Sequence, residues 1–135
     1  MTTNIATTVQ QSKALLEYGI DPCTADMIWI QGSLDSNTHL YPRLNFTDSS
    51  AILAMSANLP AWSFDALMQL LPTTIDKKTQ PKWLRVTRWE DEEKGLSFYS
   101  AYYEDAEGVA YHEIEGKSAI ECLIELILSK NILEK

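Results

Sequence analysis

The densest reactive groups in the chain are two runs of carboxylates, Glu90-Asp91-Glu92-Glu93 and Glu104-Asp105 with Glu107. General acid and base chemistry needs carboxylates whose pKa values are pushed apart inside a cleft. Both runs fall in segments whose composition predicts turns, Glu90 to Gly95 and Glu104 to Gly108, so the expectation is solvated turn tips. Neither run has the spaced oxygen ligands and mid-loop glycine of a calcium loop. His39, His112, Cys23 and Cys122 stand far apart in sequence, which gives zinc no ligand spacing. A nucleophile pair such as Cys23 with His39 or His112 would need a spatial coincidence that the spacing does not announce. There is no Gly-rich phosphate loop, no Gly-x-Ser-x-Gly elbow and no dinucleotide fingerprint. The sequence thus nominates no catalytic, cofactor-binding or metal residues, and it leans toward a non-enzymatic role.

The aromatic residues are more suggestive. Trp83, Arg85, Thr87 and Trp89 alternate along one face of a predicted strand, and Leu84 and Val86 take the other. If the Leu84 face meets a helix, Trp83 and Trp89 stand on an open sheet face beside Tyr99 or Tyr103. Exposed aromatics flanked by Arg are typical of protein-binding surfaces, so the candidate partner-binding residues are Trp83, Arg85, Trp89, Tyr99 and Tyr103. The competing reading places the tryptophans in the core and leaves Leu84 and Val86 half covered by the N-terminal hairpin.

These side chains need a scaffold, and the composition is that of an ordinary globular protein. At 135 residues, 45% hydrophobic and 22% charged, the chain is expected to form one domain over residues 1–135, with a core that needs no disulfide or metal. A formal net charge of −8 repels phosphate backbones and anionic membranes, which argues against direct nucleic-acid binding and leaves cationic partners open. No apolar stretch is long enough to span a bilayer, and the first twenty residues lack a basic segment followed by an apolar run. The expectation is a cytoplasmic protein with two reduced thiols, Cys122 being a core residue.

The elements follow from local signals. Thr8 with Gln11 and the closing pair Gly19-Ile20 delimit a helix ending at Tyr18. A helical turn from Cys23 to Asp26 and a strand Met27 to Gln31 come next, and the strand's partner is placed at His39 to Asn45. Residues Thr47 to Leu59 read as loop or short strand. Ser63 caps a helix that Pro72 stops, with Trp62 and Leu67 as its hydrophobic staple. From Lys82 the period changes to two, giving strands Trp83 to Trp89, Leu96 to Tyr103 and Val109 to Ile114 joined by short turns. Ser118 with Glu121 starts a last apolar helix, and Asn131 is placed to end it with Ile132 folding back on Ile127. The predicted fold is α+β: an antiparallel meander of about three to five strands, covered on one side by two or three helices.

The segments Leu15 to Met27, Pro60 to Pro72 and Ser118 to Leu128 resemble small acidic proteins encoded by bacterial phages and mobile elements. The resemblance implies a genomic context and a shared fold; it carries no activity, cofactor or functional residue. Function stays open among three readings. One is a small interaction or accessory protein acting through the Trp/Arg face, and another is an enzyme or small-ligand binder with a pocket between the sheet and the N-terminal hairpin. The third is an acidic mimic of nucleic acid that occupies a basic groove. A homodimer through the meander's edge or the Trp face is compatible with the first.

Overall fold

The computed structural model describes residues 5–31, 38–42, 59–129 and 132–133. The expected turn after Gln31, most of the segment Thr47 to Leu59 and the helix end at Asn131 lie outside the described residues. The architecture is α+β, with three helices and two antiparallel sheets among the described residues. The chain divides into two compact units, Met1–Leu67 and Met68–Lys135.

In the first unit, helix α1 (Val9–Tyr18) begins where the local chemistry dictates. The Thr8 side chain accepts from the Gln11 N–H at 3.1 Å while the Gln11 side chain accepts from the Thr8 N–H at 2.9 Å, so two orphan donors of the first turn are satisfied. Gly19 ends the helix at φ 108°, and the Ile20 N–H donates to the Leu15 carbonyl. A 3₁₀ turn, Pro22–Thr24, is capped by Asp21. Strand β1 (Met27–Gln31) pairs with β2 (Thr38–Pro42) on one side and β3 (Leu59–Ala61) on the other. Thr7 ties this unit together, because its hydroxyl bonds Ser12 and accepts from the Trp62 N–H while its carbonyl accepts from the Trp29 indole. Trp62 is wholly buried, and its indole N–H donates to the Thr24 hydroxyl. Helix α2 (Phe64–Leu70) starts at Ser63, whose hydroxyl accepts from the Ala66 N–H and bonds Asp26.

The second unit is a four-stranded sheet in sequence order, β4 (Thr74–Ile75), β5 (Lys82–Asp91), β6 (Leu96–Glu104) and β7 (Ala110–Gly116), followed by helix α3 (Ala119–Ser129). The Ser118 hydroxyl accepts from the Glu121 N–H and opens α3. The β5–β6 hairpin closes on Asp91 opposite Leu96, so odd-numbered residues of β5 face even-numbered residues of β6. At the β6–β7 step the register shifts between Ala101 and Tyr103, and His112 sits there at φ 59°, the extra residue of a bulge. The bulge lets both Tyr111 and Ile114 share a face with Tyr103 and Ala101.

That face is the one α3 covers. A Cβ on Gly116 would lie 3.1 Å from the Cys122 sulfur, and the Cys122 thiol donates to the Tyr99 carbonyl at 3.3 Å. Ile120, Leu123, Ile124, Leu126 and Ile127 of α3 are buried, as are Leu84, Ala101 and Tyr103 of the sheet. A side chain at position 116 would require the Cys122 sulfur to give by a few tenths of an ångström.

Candidate functional site

The face of the second sheet turned away from α3 carries Trp83, Arg85, Thr87 and Trp89 from β5, as their alternation predicts. Register adds Phe98, Ser100, Tyr102 and Glu104 from β6, with Glu115 on β7 opposite Ser100. Trp89 is 45% exposed, and its indole N–H donates to the Ser100 hydroxyl at 2.8 Å. The Thr87 and Tyr102 hydroxyls share a hydrogen bond of 3.0 Å. Arg85 reaches to within 4.0 Å of Glu104 and is half exposed. The large rings on this face are thus held by polar bonds within the sheet.

Two of the expected residues are elsewhere. Tyr99 pairs with Arg88 and Tyr103 with Leu84, which places both on the face that α3 covers. Tyr103 is wholly buried and its hydroxyl donates to the Pro72 carbonyl at 2.7 Å; burial pushes its pKa far above the ordinary 10. The physical reason is register: alternation sorts the residues of one strand into faces, but only the turn decides which parity of the next strand joins them. Phe98 and Tyr102 hold the positions beside the tryptophans.

The acidic runs divide as well. Glu90, Glu92 and Glu93 are exposed at the β5–β6 turn, with Glu90 3.5 Å from Arg88 and the Asp91 carboxylate accepting from the Lys94 N–H. A shallow cavity of about 290 Å³ opens there, lined by Arg88, Glu90, Asp91, Glu92, Gly95, Leu96 and Ser97, and its open, charged lining gathers no convergent set of buried polar groups.

Asp105 is not a solvated turn residue. It is 4% exposed, and one carboxylate oxygen accepts from the Glu107 and Val109 N–H groups while the other accepts from the Gln80 amide and the Tyr111 hydroxyl. The Val109 N–H lowers its pKa most; burial opposes this, and the Tyr111 hydroxyl, the Glu107 N–H and the nearby Lys82 ammonium assist. The bond to Asp105 in turn raises the pKa of Tyr111. Lys82, also buried, donates to Asp76 at 2.7 Å and to the Gln80 carbonyl at 3.2 Å, and lies 4.6 Å from the centre of the Tyr111 ring. Each charge here is bound by several partners, so the cluster locks the turn Asp105 to Gly108 and offers no base to a substrate. Its sequence signal is Asp-Ala-Glu-Gly, an Asp at the first turn position able to bond the backbone two residues on.

Cys122 is buried and its thiol is pushed up to about 11, chiefly by burial and then by Glu121 and Glu115; Cys23 is exposed. His112 is exposed at the bulge. Among the described residues no group of three or more His, Cys, Asp or Glu is placed to hold a metal ion, and no helix is long and apolar enough to cross a membrane. A scan of family models, a search of curated proteins and a search of solved structures each returned no match for the chain.

Proposed function

We propose that this chain is a non-enzymatic protein-interaction module that docks a cationic protein segment on the Trp83–Trp89 face. The observation that carries the reading is Trp89: a large ring, 45% exposed, held in place by Ser100 on a face that its own helix does not cover. A pre-ordered aromatic gives a partner contact area without the entropy cost of ordering it on binding. Glu104 and Glu115 on the same face, with the net charge of −8, complement a basic partner; Arg85, 4.0 Å from Glu104, supplies one cation for a carboxylate in return. The resemblance of Leu15 to Met27, Pro60 to Pro72 and Ser118 to Leu128 to phage and mobile-element proteins adds the proposal of an accessory role in such an element.

The test is affinity capture from a bacterial lysate with the wild-type chain and with Trp89→Ala and Trp83→Ala, eluted with rising salt. The reading expects a specific basic protein that the wild type retains, both variants lose and moderate salt releases. Retention of the same proteins by all three chains, or of none by the wild type, would contradict it.

A further inference from the structure

Strand β5 runs for ten residues, yet its two edges are unequally used. On one side β6 pairs with it from Trp83 to Asp91; on the other β4 reaches only Lys82 and Trp83, and the Leu84 N–H donates to the Thr73 carbonyl at 2.9 Å. The Leu84 backbone therefore points away from β6. In an antiparallel ladder that orientation repeats at every second residue, so the N–H and C=O groups of Val86, Arg88 and Glu90 also point outward, where no strand lies among the described residues. A bare edge of this kind is a template for a further strand, and its side chains decide which strand it accepts.

We propose that the occupant is β5 of a second copy, paired antiparallel about a two-fold axis at Arg88. This register alone employs all the outward groups of Val86, Arg88 and Glu90 from both copies. Centring the axis on Val86 would need the Leu84 N–H already held by the Thr73 carbonyl, and centring it on Glu90 would run into the turn that follows Asp91. The side chains fit the same register. Arg85 falls opposite Asp91 of the second copy, and Thr87 falls opposite Trp89, a charge pair and a β-branched–aromatic pair that each occur twice. Val86 meets Glu90, and the facing Arg88 residues each have a Glu90 at 3.5 Å in their own strand and another diagonally across the interface. The interface is isologous and closes at two copies, with both Trp83–Trp89 faces on the same side of one continuous sheet. Its hydrogen bonds use the strand's edge, and Arg85, Thr87 and Trp89 flank the seam on the Trp face.

Light scattering over a dilution series tests this with paired charge variants. The wild type is expected at twice the chain mass, and Arg85→Asp and Asp91→Arg, each alone, should weaken association by about tenfold or more, since each sets like charges opposite one another twice. An equimolar mixture of the two variants pairs Asp with Arg at both positions and should recover the dimer, as should the double variant. Circular dichroism checks that each variant is folded. Amide exchange in the wild type gives a second readout: the Val86, Arg88 and Glu90 amides should be protected at high concentration and exposed on dilution. A wild type that stays monomeric, a dimer unaffected by either variant, variants that fail to recover on mixing, or outward amides that exchange alike at all concentrations would overturn the proposal. The docking of a basic segment is read separately by Trp83→Ala in the capture experiment, since Trp83 lies outside the paired residues 85–91.

Discussion

The two faces of the second unit's sheet hold large side chains by opposite means. Under α3, Ala101 and Tyr103 are buried, and a methyl group at position 116 would press on the Cys122 sulfur at 3.1 Å. On the other face, Trp89 is fixed by Ser100, Tyr102 by Thr87, and Arg85 stands within reach of Glu104. The first arrangement stabilises the fold by removing apolar area from water. On the second face Tyr102 and Ser100 are buried as well, and Trp89 alone is ordered while leaving 45% of its area in water, which is the state an interface residue occupies before its partner arrives. Large aromatics in one sheet thus differ in role according to what satisfies them.

This contrast can be broken from the packed side first. Leu126→Ala removes a wholly buried side chain of α3 and should cost about 2–5 kcal/mol, read by urea or thermal unfolding. A loss well under 1 kcal/mol would mean the helix does not seal this face.

Acid should act at the end of the same face, where Asp105 is held. Its carboxyl lies below the ordinary 3.8, so its contribution to stability is complete above that value and is lost as pH falls through the lower folded value. Asp105→Asn forfeits that contribution at neutral pH and should flatten the fall in stability between about pH 4 and pH 2, measured by denaturant unfolding at each pH. Parallel wild-type and variant curves would show that Asp105 is not coupled to folding.

The smallest effect belongs to the open face. Trp89→Phe deletes the bond to Ser100 but keeps most of the ring, and should cost about 0.5–1.5 kcal/mol in the same unfolding assay. A loss matching that of Leu126→Ala would erase the distinction between the faces.

Local signals make the helices legible in the sequence. Thr8 with Gln11 and Gly19 with Ile20 are decided by neighbours within five residues and do what their spacing predicts, and of the Ser118–Glu121 box the Ser118 half is formed. The three long strands are legible for the same reason. Strands β3 and β4 are not: at three and two residues they have no period, and they exist because β1 and β5 offer edges to pair with. The candidate face is half legible, since alternation groups Trp83, Arg85 and Trp89, whereas their β6 neighbours depend on a hairpin register that parity along one strand cannot supply. Asp105 is hidden differently, because its burial comes from Gln80 and Tyr111, 25 residues before it and six after it.

Trp89 stands ordered and exposed at one end of its sheet face, whereas Trp62 is fully enclosed. The most direct test of this contrast is fluorine NMR of the protein labelled with 5-fluorotryptophan, its four tryptophan signals assigned by single Phe substitutions, in the presence of a soluble gadolinium chelate. A single sharp Trp89 signal that the chelate broadens strongly is expected, beside a Trp62 signal, wholly buried, that it leaves unchanged. A Trp89 signal as protected as that of Trp62 would contradict the contrast.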